Sequence, residues 1–283
     1  MVNEVYHPFE NSVVCYSEKS VISAPPLDPH PFHRHNGYEI YYFMSGNVNL
    51  YIQQQCYNLR PGDLVIISPE QLHRVVYLDF QVYERTIINI KPDFIKKLSS
   101  ERTDLSKCFK FKNIEEFKHI HLNREQRDEY ISAVNRYREL SETQNYGSDL
   151  KADYEMASIL IYINKLFENA ESSQKENVMP ELIKNVMDYI QTHLAETITL
   201  EMLANEFYLS GKYISSQFKQ HTGLTLRTYI LDQRIAYAKR LLQGGANVSE
   251  ACYRSGFSDY ANFIRTFTNL VGVSPGKFAK ESK

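Results

Sequence analysis

Residues 200–223, LEMLANEFYLSGKYISSQFKQHTG, return in altered form as residues 248–272, VSEACYRSGFSDYANFIRTFTNLVG. Leu200–Phe207 has the apolar spacing of a short amphipathic helix, and Tyr208-Leu209 makes the turn. Ser210 opens a second helix as its N-cap, because its hydroxyl can accept an N–H that the first turn leaves without a partner. In that helix Tyr213, Ile214, Gln217 and Phe218 form the expected buried stripe, and His221-Thr222-Gly223 stops it. The second copy repeats the plan. Val248–Arg254 is the short helix, Ser255-Gly256-Phe257 the turn, Ser258 the expected N-cap, and Phe263 and Phe267 the buried stripe ahead of Gly272. Phe218-KQHT-Gly223 aligns with Phe267-TNLV-Gly272, and both glycines suit a left-handed helix end. A helix, a tight turn and a helix, twice over, predicts a pair of helix-turn-helix units. Thr225 to Leu242 reads as one long connecting helix, with Tyr229, Ile230, Ile235, Ala238, Leu241 and Leu242 on its apolar face and Gly244-Gly245 at its end. Such a connector would hold the two second helices at a fixed spacing.

Upstream the pattern changes twice. Glu39–Met44, Val48–Ile52, Leu64–Ile67, Arg74–Leu78 and Arg85–Ile90 are β-favouring runs. Turn signals separate them: Asn36-Gly37, Ser45-Gly46-Asn47, Arg60-Pro61-Gly62-Asp63 and Ser68-Pro69. No crossover helices intervene, so an antiparallel sandwich or barrel is expected and a doubly wound parallel sheet is excluded. From 112 to 172 apolar residues recur at three- and four-residue steps, with Tyr130, Val134 and Tyr137 in one helix and Tyr154, Leu160 and Phe167 in the next. The second helix has a stripe too wide for one contact face, which suggests packing on the β domain and on a second subunit. The resulting plan is a multidomain α+β chain. It has an antiparallel β domain over 1–111, a helical coupling and dimerisation segment over 112–172, a polar linker over 173–180 and an all-α domain over 181–283.

The chain has 283 residues, enough for two domains, and 43% are hydrophobic, which excludes disordered and fibrous classes. No apolar run approaches the ~18–20 residues of a membrane span, and the N-terminus lacks the pattern of a signal peptide. Cys15, Cys56, Cys108 and Cys252 are far apart and form no CxxC. A cytoplasmic location is the expectation. The net charge of −2 hides an asymmetry: from Leu209 onward 11 Lys and Arg stand against four Asp and Glu. A basic terminal quarter suits a phosphate backbone. Nucleotide-binding loops of the GxGxxG type and hydrolytic triads are absent from the sequence.

The segments Leu200-EMLANEF-Tyr208, Ser210-GKYISSQFKQHTG-Leu224, Arg234-IAYAKRLL and Ser249-EACYRSGFSDYANFIRTFTNLVGVSP-Gly276 resemble the AraC/XylS family of transcription regulators. The resemblance implies that the second helix of each unit enters the major groove of double-stranded DNA. It also implies transcription activation rather than repression, with RNA polymerase as a further partner. By helical period, Lys212, Ser215, Ser216 and Lys219 face out of the first such helix. Tyr260, Ala261, Asn262, Ile264 and Arg265 do so on the second. Lys212 and Arg265 can donate to guanine O6 and N7, while Ala261 and an exposed Ile264 can meet thymine methyls. Asp259 reads as a cap. The sequence departs from the family pattern at Ala251-Cys252, a small core pair, and at Thr268-Asn269, where the family carries two lysines.

His33-Arg34-His35, Glu39 and Gly46, followed by Pro61-Gly62-Asp63, Pro69 and His73, resemble the two cupin motifs. The second motif lacks its glycine and is one residue short. Cupin-like sensing barrels precede the DNA-binding part in AraC-type regulators, so the resemblance implies a small polar effector, such as a sugar. His33, Arg34, His35, Glu39, Tyr41 and His73 are its candidate contacts. His30 is a weaker candidate, and Tyr6, Tyr16, Tyr38 and Tyr42 are further phenols within the domain. His33 and His35 would share one strand face. With Glu39 and His73 they could ligate Zn, Fe, Mn or Ni, yet the reading adopted is no metal and no cofactor. Two alternatives remain open: a barrel that only dimerises or binds a protein, and a metal-dependent cupin enzyme.

Overall fold

The computed structural model describes residues 9–22, 32–114, 116–169 and 175–281. The chain divides into two compact units. Among the described residues, one holds 9–22 and 34–178, and the other holds Phe32, His33 and 179–281.

The first unit is built on two antiparallel sheets. Strands β1 (Val13–Val21), β7 (Val82–Ile90), β2 (Tyr38–Ser45), β5 (Asp63–Ile67) and β8 (Lys118–His121) form one, in that order. Strands β4 (Gln55–Asn58), β3 (Val48–Ile52) and β6 (His73–Tyr77) form the other. In the large sheet Tyr41 lies between Ile87 and Val65, and Ile40 between Ile88 and Ile66. Alternation then sends Tyr41, Phe43, Val65, Ile67, Tyr83 and Ile87 to the inner face, where they pack on Val48, Leu50, Ile52 and Val75 of the small sheet. Ile40, Tyr42, Leu64, Ile66, Ile88 and Ile90 go to the outer face. Helices α2 (Arg124–Glu142) and α3 (Ser148–Asn169) cover them with Tyr130, Val134, Met156, Leu160 and Ile163. Both faces of β2 and β5 are therefore covered, which is why these strands read as near-continuous apolar runs.

Three strands escape the sequence reading. β1 is an edge strand interrupted by the polar run Ser17-Glu18-Lys19-Ser20, β4 is only four residues long, and β8 lies inside the stretch 112–172 read as helical. β8 forms because KHIH alternates and finds a free edge on β5. Conversely, α1 (Pro92–Leu98) and a 3-10 turn at Lys107–Phe109 interrupt the stretch read as β. Among the described residues neither His33 nor His35 lies in one of the eight strands, so the expected shared strand face does not form.

The second unit is helical: α4 (Glu181–Thr192), α5 (Leu200–Phe207), α6 (Gly211–Thr222), α7 (Leu226–Gln243), α8 (Val248–Arg254), α9 (Tyr260–Val271) and α10 (Pro275–Glu281). Side-chain caps set the starts of α5 to α9, and Ser274 caps α10 by accepting from Lys277 N at 3.4 Å. Thr199 accepts from Met202 N at 3.2 Å, Ser210 from Tyr213 N at 3.2 Å and Thr225 from Thr228 N at 3.1 Å. Asn247 accepts from Glu250 N at 2.8 Å and Asp259 from Asn262 N at 2.5 Å. The N-cap of α9 is thus Asp259 and not Ser258, because the second turn (255–259) is two residues longer than the first (208–210). Gly223 and Gly272 close α6 and α9 at φ of 71° and 84°. In the second helix-turn-helix, Ile235, Ala238, Ala251, Cys252, Phe257, Phe263 and Phe267 make one core. The small pair Ala251-Cys252 is wholly buried in it.

Candidate nucleic-acid interface and polar cluster of the sheet domain

On α6 the buried stripe is Ile214, Phe218 and Thr222, spaced by four residues. Lys212, Ser216 and Lys219 are exposed and Ser215 is half-buried, as the outward face requires. Tyr213 is 48% exposed and belongs with them, contrary to the sequence reading. The repeat itself carries the signal: Ile214 and Phe218 correspond to Phe263 and Phe267, so Tyr213 corresponds to Asn262, an outward residue. On α9, Tyr260, Ala261, Asn262 and Arg265 are exposed, and Asn262 Oδ1 accepts from Arg265 Nη2 at 3.1 Å. Ile264 is half-buried against the second core rather than exposed, so packing already accounts for its apolar side chain. A cleft of about 660 Å³ lies within the helical unit, between its two helix-turn-helix motifs, walled by Thr199, Arg227, Ile230, Arg234, Tyr253 and Ser258.

In the sheet domain, β2 places Glu39 on the inner face, where His35 and His73 converge on one oxygen. His35 Nε2 lies 2.9 Å and His73 Nε2 3.6 Å from Glu39 Oε2. His73 Nδ1 meets the carbonyl of Gln71 at 3.1 Å, which orients the ring and gives this nitrogen the donor role. Burial pushes the Glu39 carboxyl upward, but hydrogen bonds and charge from His35 and His73 outweigh it and hold the group well below its usual range. Arg34 is buried, with Nη1 3.9 Å from Glu70 Oε2. His33 falls in the helical unit. Tyr6 and His30 lie outside the described residues.

The same face carries a second polar group, of which the sequence reading named only Tyr41 as a candidate contact. Arg85 donates through Nε (3.0 Å) and Nη2 (2.9 Å) to Glu18 Oε2. Its guanidinium stands 5.7 Å from the Tyr41 ring centre and 5.5 Å from that of Tyr83. The Tyr41 and Tyr83 hydroxyls share a 2.7 Å hydrogen bond. A charged residue between Tyr83 and Ile87, at alternating positions of an apolar strand, was the available signal. Tyr38 and Tyr42 face the other way, toward Phe109 and Tyr130.

A model of an AraC-like ligand binding domain matches residues 21–136, and a model of a helix-turn-helix domain matches residues 203–281. The chain belongs to the AraC/XylS family. It is similar to two uncharacterized HTH-type transcriptional regulators of Bacillus subtilis. YbfI is 25% identical over 82% of this chain and 80% of that protein. YdeC is 25% identical over 96% of this chain and 92% of that protein. A crystal structure of wild-type ToxT from Vibrio cholerae strain SCE256, bound to an unsaturated fatty acid, matches at 14% identity over 95% of each chain, with a TM-score of 0.41.

This AraC-type chain is accordingly a DNA-binding transcription regulator with a ligand-binding domain, and the matched relatives are regulators rather than enzymes. Among the described residues no helix is long and apolar enough to cross a membrane. The helix-turn-helix match covers both α6 and α9.

Proposed function

We propose that this regulator reads a DNA site of two unequal blocks, one with α6 and one with α9, under the control of a small polar effector held on the inner face of its sheet domain. The observation that carries the DNA reading is the pair of side-chain-capped helices that expose Lys212, Tyr213, Ser216 and Lys219 on one unit and Tyr260, Ala261, Asn262 and Arg265 on the other. Arg265 suits a guanine, and Ala261 a thymine methyl. The cleft between the two helix-turn-helix motifs, with Arg227 and Arg234 in its wall, suits the phosphate backbone between the two blocks. With Thr268-Asn269 where the family has lysines, the second unit contributes more to base reading than to phosphate affinity.

For the effector, the inner face offers paired charges (Arg85 with Glu18, Glu39 with His35 and His73) beside the Tyr41 and Tyr83 rings. Locally balanced charge next to aromatic faces suits a neutral, hydroxylated molecule such as a sugar better than a strong anion. A homodimer is supported by α3, whose Leu150, Tyr154 and Ile161 recur along one side and are exposed. Activation through RNA polymerase and a cytoplasmic location complete the reading.

The test is selection of bound duplexes from a random DNA pool by the full-length protein at fixed salt. Two enriched blocks about one helical turn apart support reading by both units. A single block would sink the role given to α9, and no enrichment with or without a panel of sugars would sink the whole reading.

A further inference from the structure

Residues 173–180 read in the sequence as a polar spacer, but the described part is fastened to the sheet domain. Lys175 Nζ lies 2.6 Å from Asp63 Oδ2 and donates to the carbonyl of Asn58 at 2.9 Å. Val178 N donates to the carbonyl of Cys56 at 2.8 Å, and Cys56 N donates to Asn177 Oδ1 at 2.9 Å. β4 is an edge of the small sheet, and this segment engages the backbone groups that an edge leaves open. Asp63 is 1% exposed, and it also accepts from Arg60 N at 2.7 Å and meets His121 Nδ1 at 3.0 Å and His119 Nε2 at 3.3 Å. A buried carboxylate ringed by donors is a firm anchor, and it keeps its other partners if the lysine leaves.

We propose that Asp63 and Lys175 form a latch that holds the interdomain segment on β4, and that this latch positions the DNA-binding domain. The chain left between the fastened Val178 and the first residue of α4 is then Met179-Pro180, instead of the whole polar stretch. β5 joins the latch to the effector cluster: its Ile67 pairs with Glu39, and its other end is Asp63. The latch stands independently of the effector reading, and its effect on DNA rests on the DNA-reading role proposed above.

The experiment uses the full chain and its Lys175→Met, Lys175→Arg, Asn177→Ala and Asp63→Asn variants. Cleavage after Glu176 by a glutamate-specific protease under native conditions should rise at least about tenfold in Lys175→Met and Asn177→Ala and stay near wild type in Lys175→Arg. Equal cleavage in wild type and Lys175→Met would overturn the latch. Asp63→Asn should behave like Lys175→Met. If it fails to fold because Asp63 also holds its own turn, the linker variants still decide. Affinity for the duplex selected above should change at least about threefold, in the same direction, in Lys175→Met and Asn177→Ala, and recover in Lys175→Arg. Faster cleavage with unchanged affinity would overturn the positioning role. Should the wild type select no duplex, the DNA reading fails, while the cleavage comparison still decides the latch.

Discussion

Gly256 passes so close to Leu194 that a Cβ on it would stand 2.4 Å from the Leu194 carbonyl oxygen. That same oxygen accepts from Arg234 Nε at 3.0 Å, and Arg234 Nη2 reaches the carbonyl of Glu196 at 2.6 Å. The second turn, the loop after α4 and the connecting helix α7 are thereby tied at one point. Gly256 also has φ of +86°, a conformation that costs any other residue about 1 kcal/mol. Gly256→Ala therefore meets both strain and a backbone clash. It should destabilise the helical unit by at least about 2 kcal/mol, measured by denaturant unfolding.

The first helix-turn-helix motif solves its turn differently. Tyr208, at the equivalent place, has φ of +54° and is 94% exposed, and Leu209 N closes the turn on the Ala204 carbonyl at 3.2 Å. Its side chain gives almost no packing in return for the strained backbone. Tyr208→Gly should be neutral to stabilising, by up to about 1 kcal/mol. A loss of stability in thermal unfolding would mean that the ring is packed.

Arg265→Ala should lower affinity for the selected site by about 1–3 kcal/mol and flatten preference at one base pair. Lys219→Ala should weaken all sequences nearly equally and reduce the salt slope by about 1. Binding titrations at several salt concentrations against matched and mismatched duplexes separate the two behaviours.

Glu39 and Asp63 both titrate below their ordinary values of 4.5 and 3.8. For Asp63, burial acts upward, but hydrogen bonds from His119, Arg60, Lys175 and His121 outweigh it. A carboxyl depressed in the folded state stabilises the fold above its unfolded value, and that contribution is lost as pH falls toward the folded value. The unfolding temperature of the sheet domain should thus begin to fall as pH drops through 4.5. Glu39→Gln should lower it at neutral pH and soften the acid decline. An equally steep acid decline in the variant would show that Glu39 carries none of it.

Cys15, Cys56, Cys108 and Cys252 are free thiols, and burial pushes the first three up to about 12 and raises the fourth. A thiol held protonated is a poor nucleophile. A disulfide reagent should titrate almost none in the native protein and all four in denaturant. Rapid reaction of one native thiol would identify a locally opening segment.

Local chemistry along the chain was enough to determine the two helix-turn-helix units. Their caps, glycine stops and apolar stripes are set by residues within a turn of one another, and the repeat states them twice. The same holds for β2, β3, β5 and β6, whose apolar runs lie between turn signals. Only the tertiary structure decided the rest. β1 and β8 are strands because β7 and β5 present edges to them, a long-range condition that their own composition does not reveal. Tyr41 and Tyr42 are adjacent in sequence and identical in type, yet one joins Arg85 and Tyr83 on the inner face while the other packs on Tyr130. Which phenol meets the polar cluster is set by the pleat and by α2 covering the opposite face. Lys175, in a stretch that reads as solvated spacer, becomes a partner of Asp63 because folding brings a buried carboxylate to a sheet edge 112 positions away in the chain. Periodicity cannot report such a pairing, since neither residue carries a local mark of the other.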